Sequence, residues 1–167
     1  SRRDFLLQAA VLGFGLATAK DATKQLPINI TERRDLYPQG VASGDPTSTS
    51  VILWTRRPEI SGNIAGKLTV QVSTDSNFKK IISDGTNTIS AEADWTCRFL
   101  ATGLKPNHVY WYRFVDEYGY ASRVGRTITA PSDSSDASVR FTFVSCQSPN
   151  ESALNAYRKM IYEDEAR

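Results

Sequence analysis

The 167-residue chain carries 20 basic and 18 acidic side chains, a formal charge of +2, so no single-sign field draws it to nucleic acid or to an acidic partner. With 40% hydrophobic and 23% charged residues it has the composition of a folded chain. One histidine and two cysteines exclude zinc ribbons, zinc fingers, His-rich metal sites and disulfide-dense scaffolds.

Residues 1–19 read as an export address. Arg2 and Arg3 precede an apolar run from Phe5 to Ala17, and Ala17-Thr18-Ala19 supplies a small-x-small cleavage site. The run is shorter than the ~20 residues a membrane span needs. Its apolar side chains go all round a helix, which argues against an amphipathic first helix of the domain. Ser-Arg-Arg-Asp-Phe-Leu resembles the twin-arginine signal, an address read by an export machinery rather than an anchor. Cleavage after Ala19 would leave no stable membrane anchor, and the mature protein would be periplasmic, extracellular or on the cell surface.

Residues 20–36 are polar and read as an extended lead-in. Over 37–131, β-branched and aromatic residues recur in short runs between turn signals, the pattern of a small β-sandwich of the fibronectin type III or Ig-like kind. Strands are expected at 41–43, 50–56, 67–74, 95–100, 108–116 and 120–129. Two weaker ones, 81–82 and 86–89, flank Asp84-Gly85. Leu68, Val70 and Val72 share one face of their strand, and Trp95, Cys97 and Phe99 share one face of theirs. Glu117-Tyr118-Gly119 reads as a hairpin turn. Leu104-Lys105-Pro106 leading into a strand with Tyr110 fits a tyrosine corner, and Trp54 is the expected core tryptophan.

The other eye-catching residues of this region have plain readings. Trp95, Trp111 and Tyr112 could make a sugar platform but are more simply core or half-buried strand residues. His108 beside its turn reads as solvated. Arg56, Arg57, Arg123 and Arg126 read as a wet strand face rather than a phosphate site. Cys97 reads as a buried small hydrophobe.

Residues 132–138 form a polar linker. Residues 139–167 then open a different unit. Val139-Arg140-Phe141-Thr142-Phe143-Val144 reads as a strand running into Ser145-Cys146-Gln147. Ser148, Pro149 and Glu151 have the spacing of a capped helix start, and Leu154, Tyr157 and Ile161 share a stripe with Met160 beside it. Strand, turn and helix are the opening unit of an α/β domain, whose sites lie at the carboxyl ends of strands. Cys146 occupies that position, where a thiolate would suit a metal or a nucleophilic role. From spacing alone the plainer reading is a buried cysteine at a strand end, and a disulfide to Cys97 joins two different units. Ser1 and Arg167, the latter within a charged helical pattern, mark the chain as a piece of a longer protein.

Four stretches together resemble the alkaline phosphatase D (PhoD-like) family of exported metallophosphatases. They are the Ser-Arg-Arg-Asp-Phe-Leu signal, Gly40 to Pro46 with Val51 to Arg56, Leu104 to Arg113, and Phe141 to Gln147; Asn155 to Arg158 also fits the family's first catalytic-domain helix. The resemblance implies an N-terminal sandwich followed by a calcineurin-like phosphoesterase domain, here truncated after its first strand and helix. It implies metal-assisted hydrolysis of phosphate esters with iron and calcium, and it makes Cys146 an iron ligand. The remaining ligands and the catalytic residues would lie beyond Arg167, so the 167-residue piece alone is expected to be inactive. The alternative is a fibronectin-like extracellular binding module without catalysis.

Overall fold

The computed structural model describes residues 29–58, 62, 65–138, 141–145 and 155–165. The chain divides into two compact units, Ser1–Ser135 and Asp136–Arg167. Nine strands and one α-helix are seen among the described residues.

The first unit is built from two sheets. β2 (Val41–Gly44), β3 (Ser50–Arg56) and β6 (Thr96–Thr102) form an antiparallel sheet in the order β2-β3-β6. The larger sheet runs β1 (Thr31–Glu32), β8 (Tyr120–Ala121), β7 (Val109–Asp116), β4 (Ala65–Ser73) and β5 (Ile81–Ser90). β9 (Gly125–Ile128) also pairs with β7.

The alternation of the sequence sets the inner faces. In β3, Val51, Leu53 and Thr55 point inward, directly opposite Ala101, Phe99 and Cys97 of β6. From the other sheet come Leu68, Val70 and Val72 of β4 and Tyr110, Tyr112 and Phe114 of β7, all in the same buried cluster. Side chains of both sheets interdigitate in one core, which makes this unit a β-sandwich. Trp95 packs against the cluster, so Trp95, Cys97 and Phe99 do share a side. Trp54 does not. It lies half-buried on the face of β3 opposite Leu53, because the period of two puts Val51, Leu53 and Thr55 inward together.

The tyrosine corner is present: the Lys105 amide donates to the Tyr110 hydroxyl at 2.8 Å. Residues 81–90 differ from expectation. They form one ten-residue strand, with Asp84-Gly85 inside it rather than at a turn. Gly85 faces the Phe99 ring, and a Cβ there would come within 2.4 Å of it. The glycine therefore serves a close approach between sheets. Residues 120–129 are split into β8 and β9 by Ser122 to Val124, and the Ser122 hydroxyl accepts from the Phe114 amide at 3.0 Å.

The polar lead-in carries structure at its described end. β1 adds in parallel to β8, with Thr31 opposite Tyr120 and Glu32 opposite Ala121. The Thr31 amide donates to the Gly119 carbonyl at 2.9 Å and the Arg33 amide to the Ala121 carbonyl at 2.8 Å. Tyr37, 2% exposed, follows a single 3-10 turn and donates its hydroxyl to the Tyr120 carbonyl at 2.9 Å.

Candidate functional site

The residues that the sequence nominates for chemistry and processing, Cys146, Arg2, Arg3 and Ala19, lie outside the described residues, as do the helix-start residues Ser148, Pro149 and Glu151. What is described on either side of Cys146 is residues 141–145 and helix α1 (Asn155–Glu165). The helix agrees with its apolar spacing. The strand expected over 139–144 does not appear as such: residues 141–145 belong to no ladder. A strand exists through hydrogen bonds to a neighbour, and no described residue supplies one here. Phe141 is 83% and Phe143 84% exposed, while Tyr157, Ile161 and Tyr162 of α1 are also exposed. Arg158, Lys159 and Glu163 face solvent, with Lys159 and Glu163 paired at 2.6 Å one turn apart. This unit thus presents the apolar side chains of a strand–helix opening without a sheet to cover them.

Elsewhere the tempting residues sort out plainly. Trp111 and Tyr112, adjacent on β7, point to opposite faces, and Trp95 lies on another strand's approach, so the three make no platform. Burial pushes the Tyr112 phenol up to about 12. His108 is exposed, its ring edge-on to Tyr110 at 5.0 Å. Arg123 and Arg126 are exposed, and Arg56 pairs with Asp94 at 2.8 Å.

Cys97 is 1% exposed and its thiol is free. Burial pushes its pKa up to about 12, so almost no thiolate exists near neutrality. Iodoacetamide applied to the native chain at pH 8 is expected to leave Cys97 unmodified, with full labelling only after denaturation. Peptide mass mapping reads this directly, and native-state labelling of Cys97 would contradict the packing around it.

Arg57 was not part of any wet face. It is buried, its guanidinium donates to Asp116 Oδ2 at 3.0 Å from Nη2 and 3.3 Å from Nε, and Nη1 donates to the Pro58 carbonyl at 2.9 Å. Asp116 is fully buried, and its second oxygen accepts from the Tyr118 and Tyr120 amides at 3.0 and 2.9 Å. The Arg57 guanidinium also sits over the Tyr37 ring, 5.7 Å from its centroid. Burial and the Asp116 charge raise the Tyr37 phenol well above its ordinary range. This cluster satisfies itself and points at no opening, so its role is to hold the end of the sandwich. Nothing in the sequence pairs Arg57 with a residue 59 positions away; the one signal was that each ends a strand.

Among the described residues no group of three or more His, Cys, Asp or Glu side chains could hold a metal ion. The iron and calcium implied by resemblance therefore find no donor set there. No helix among the described residues is long and apolar enough to cross a membrane.

Comparison with known proteins fits this division. Residues 21–131 match the model for the N-terminal domain of PhoD-like phosphatases. Alkaline phosphatase D of Bacillus subtilis (strain 168) is 36% identical over 174 aligned positions, covering 97% of this chain and 30% of the relative. The chain thus spans about a third of the length of that curated relative. A solved structure described as that of PhoD superposes with a TM-score of 0.57 at 36% identity, over 60% of this chain and 20% of that one. A fibronectin type III domain from human KIAA0970 protein gives 0.48 at 17% identity, over 68% of this chain and 90% of that one; the sandwich itself rests on the two sheets described above.

Proposed function

The chain belongs to the PhoD-like phosphatases through its N-terminal domain, and from that premise we propose that it is the N-terminal part of an exported alkaline phosphatase or phosphodiesterase. One observation carries the reading. The domain match ends at residue 131, yet the alignment to alkaline phosphatase D covers 97% of the chain, so residues 132–167 are aligned as well. The tail then belongs with the sandwich in one enzyme rather than being an unrelated extension of a binding module.

Under this reading residues 139–167 start the phosphoesterase domain, and the exposed Phe141, Phe143 and Ile161 await the rest of its sheet and helices. The complete protein would hydrolyse phosphate esters with iron and calcium, and Cys146 would contribute a thiolate to the iron. No step is derived through those ions, since the described residues hold no donor set for them. The sandwich would be a packing or substrate-gating domain. Arg2 and Arg3 would direct export through the twin-arginine machinery, with cleavage after Ala19.

The test compares three proteins: the full-length parent, its Cys146→Ser variant and the 167-residue chain. The parent is expected to contain iron and calcium and to hydrolyse p-nitrophenyl phosphate or its bis-ester. Cys146→Ser is expected to lose iron and at least about tenfold in activity, and the 167-residue chain to be inactive. A folded parent without metal or activity would sink the reading and leave the binding module.

A further inference from the structure

We propose that the turn joining β7 to β8 is a carbohydrate-binding surface, on which Tyr118 and Tyr120 take the flat face of a neutral, β-linked hexose chain. The two rings are 47% and 36% exposed, their centroids lie 6.5 Å apart, and their planes are inclined by 34°. Exposed tyrosines on a loose turn would mean little. This turn is fixed from every side. Asp116 Oδ1 accepts from both tyrosine amides, and the Asp116 carbonyl accepts from the Gly119 amide at 3.0 Å. The Gly119 carbonyl is taken by Thr31, the Tyr120 carbonyl by the Tyr37 hydroxyl, and the Ala121 carbonyl by Arg33. Gly119 supplies the positive φ of 85° that the turn needs.

Rings held this way lose little freedom on binding, and tyrosine offers contact area with a polar tip. The surroundings select the ligand's charge. Arg33 lies 5.1 Å from the Tyr120 ring centroid but is paired with Asp35 through two hydrogen bonds, 2.9 and 2.7 Å. Arg34 is paired with Glu32. The adjoining strand thus offers hydrogen-bonding edges without net charge, which suits hydroxyl groups better than phosphate or carboxylate. A β-linked hexose with equatorial substituents has axial C–H groups on its faces and hydroxyls around its rim, the complement of two aromatic faces beside an arginine–carboxylate pair.

The inference stands apart from phosphatase activity, and its test needs none. The 167-residue chain is run in native gels containing hydroxyethyl cellulose, and chitohexaose is titrated while backbone amide shifts are followed. Retardation in the gel, or saturable shifts centred on 117–121, is expected. The Tyr118→Ala/Tyr120→Ala variant is expected to bind at least about tenfold more weakly, whereas Tyr118→Phe/Tyr120→Phe retains binding because the faces remain. Should the double alanine variant lose cooperative unfolding, Tyr118→Ala alone decides, since that ring is the more exposed. A wild-type chain that binds neither probe, or binding that survives loss of the rings, overturns the proposal.

Discussion

Arg57→Ala is expected to destabilise the sandwich by about 3–5 kcal/mol, the loss typical when one member of a buried ion pair is removed. The magnitude follows from what is left behind. Asp116 is 0% exposed, and its Oδ2 faces only Arg57 among the hydrogen bonds described above. Removing the guanidinium strands a carboxylate where water cannot replace it. Arg57→Lys is expected to recover only part of the loss, because an ammonium cannot reproduce the fork that reaches Asp116 and the Pro58 carbonyl together. Urea denaturation of the 167-residue chain measures both. A loss under about 1 kcal/mol for Arg57→Ala would place the pair with ordinary surface salt bridges and refute its buried role.

Gly125→Ala and Gly85→Ala are each expected to cost about 1–3 kcal/mol through overpacking. Gly125 lies directly opposite Tyr112 in the β7–β9 ladder, and a Cβ there would sit 2.4 Å from Tyr112 Cζ and 2.7 Å from its hydroxyl. At Gly85 a Cβ would sit 2.4 Å from Phe99 Cε2, across the two sheets. Both rings are buried in the core and have nowhere to retreat. Gly44→Ala is the control: nothing lies within 4 Å of its Cβ position, so its effect should stay within about 0.5 kcal/mol. At Gly85 a second change refines the test. Phe99→Leu shortens the clashing ring, so the double variant should lose less than the sum of the two single losses. Strict additivity would mean that the ring is not what Gly85 accommodates.

These positions also explain which parts of the fold were legible in the sequence. Residues 50–56 alternate cleanly, and β3 falls on those residues. Tyr110 was legible because the corner is local: its partner Lys105 is five residues away. Gly85 misled because glycine after aspartate signals a turn when read locally, while its actual cause, the Phe99 ring, comes from another sheet. Trp54 misled because size suggested burial, whereas parity along the strand puts Leu53 inside. Arg57 and Asp116 read as surface charges, since only the folded topology brings two strand ends together. β1 was hidden for a similar reason: two polar residues gain strand geometry from the edge of β8, not from any pattern of their own. At the candidate site, the helix 155–165 was legible from its own period. The preceding strand depends on neighbours that no local pattern supplies, and Cys146 falls outside the described residues.

The parallel docking of β1 on β8 has a consequence for the order of events during folding. Tyr37 and Tyr120 are 83 positions apart, and Thr31 and Tyr120 are further separated still. The loop entropy for such a contact is recovered only after the intervening hairpins have shortened the effective chain. On the ribosome, residues 31–37 emerge early yet have nothing to pair with until the 116–121 turn has been synthesised. The first described segment of the sandwich is thus among the last to be locked in place, and the domain stays open along that edge until its final strands arrive.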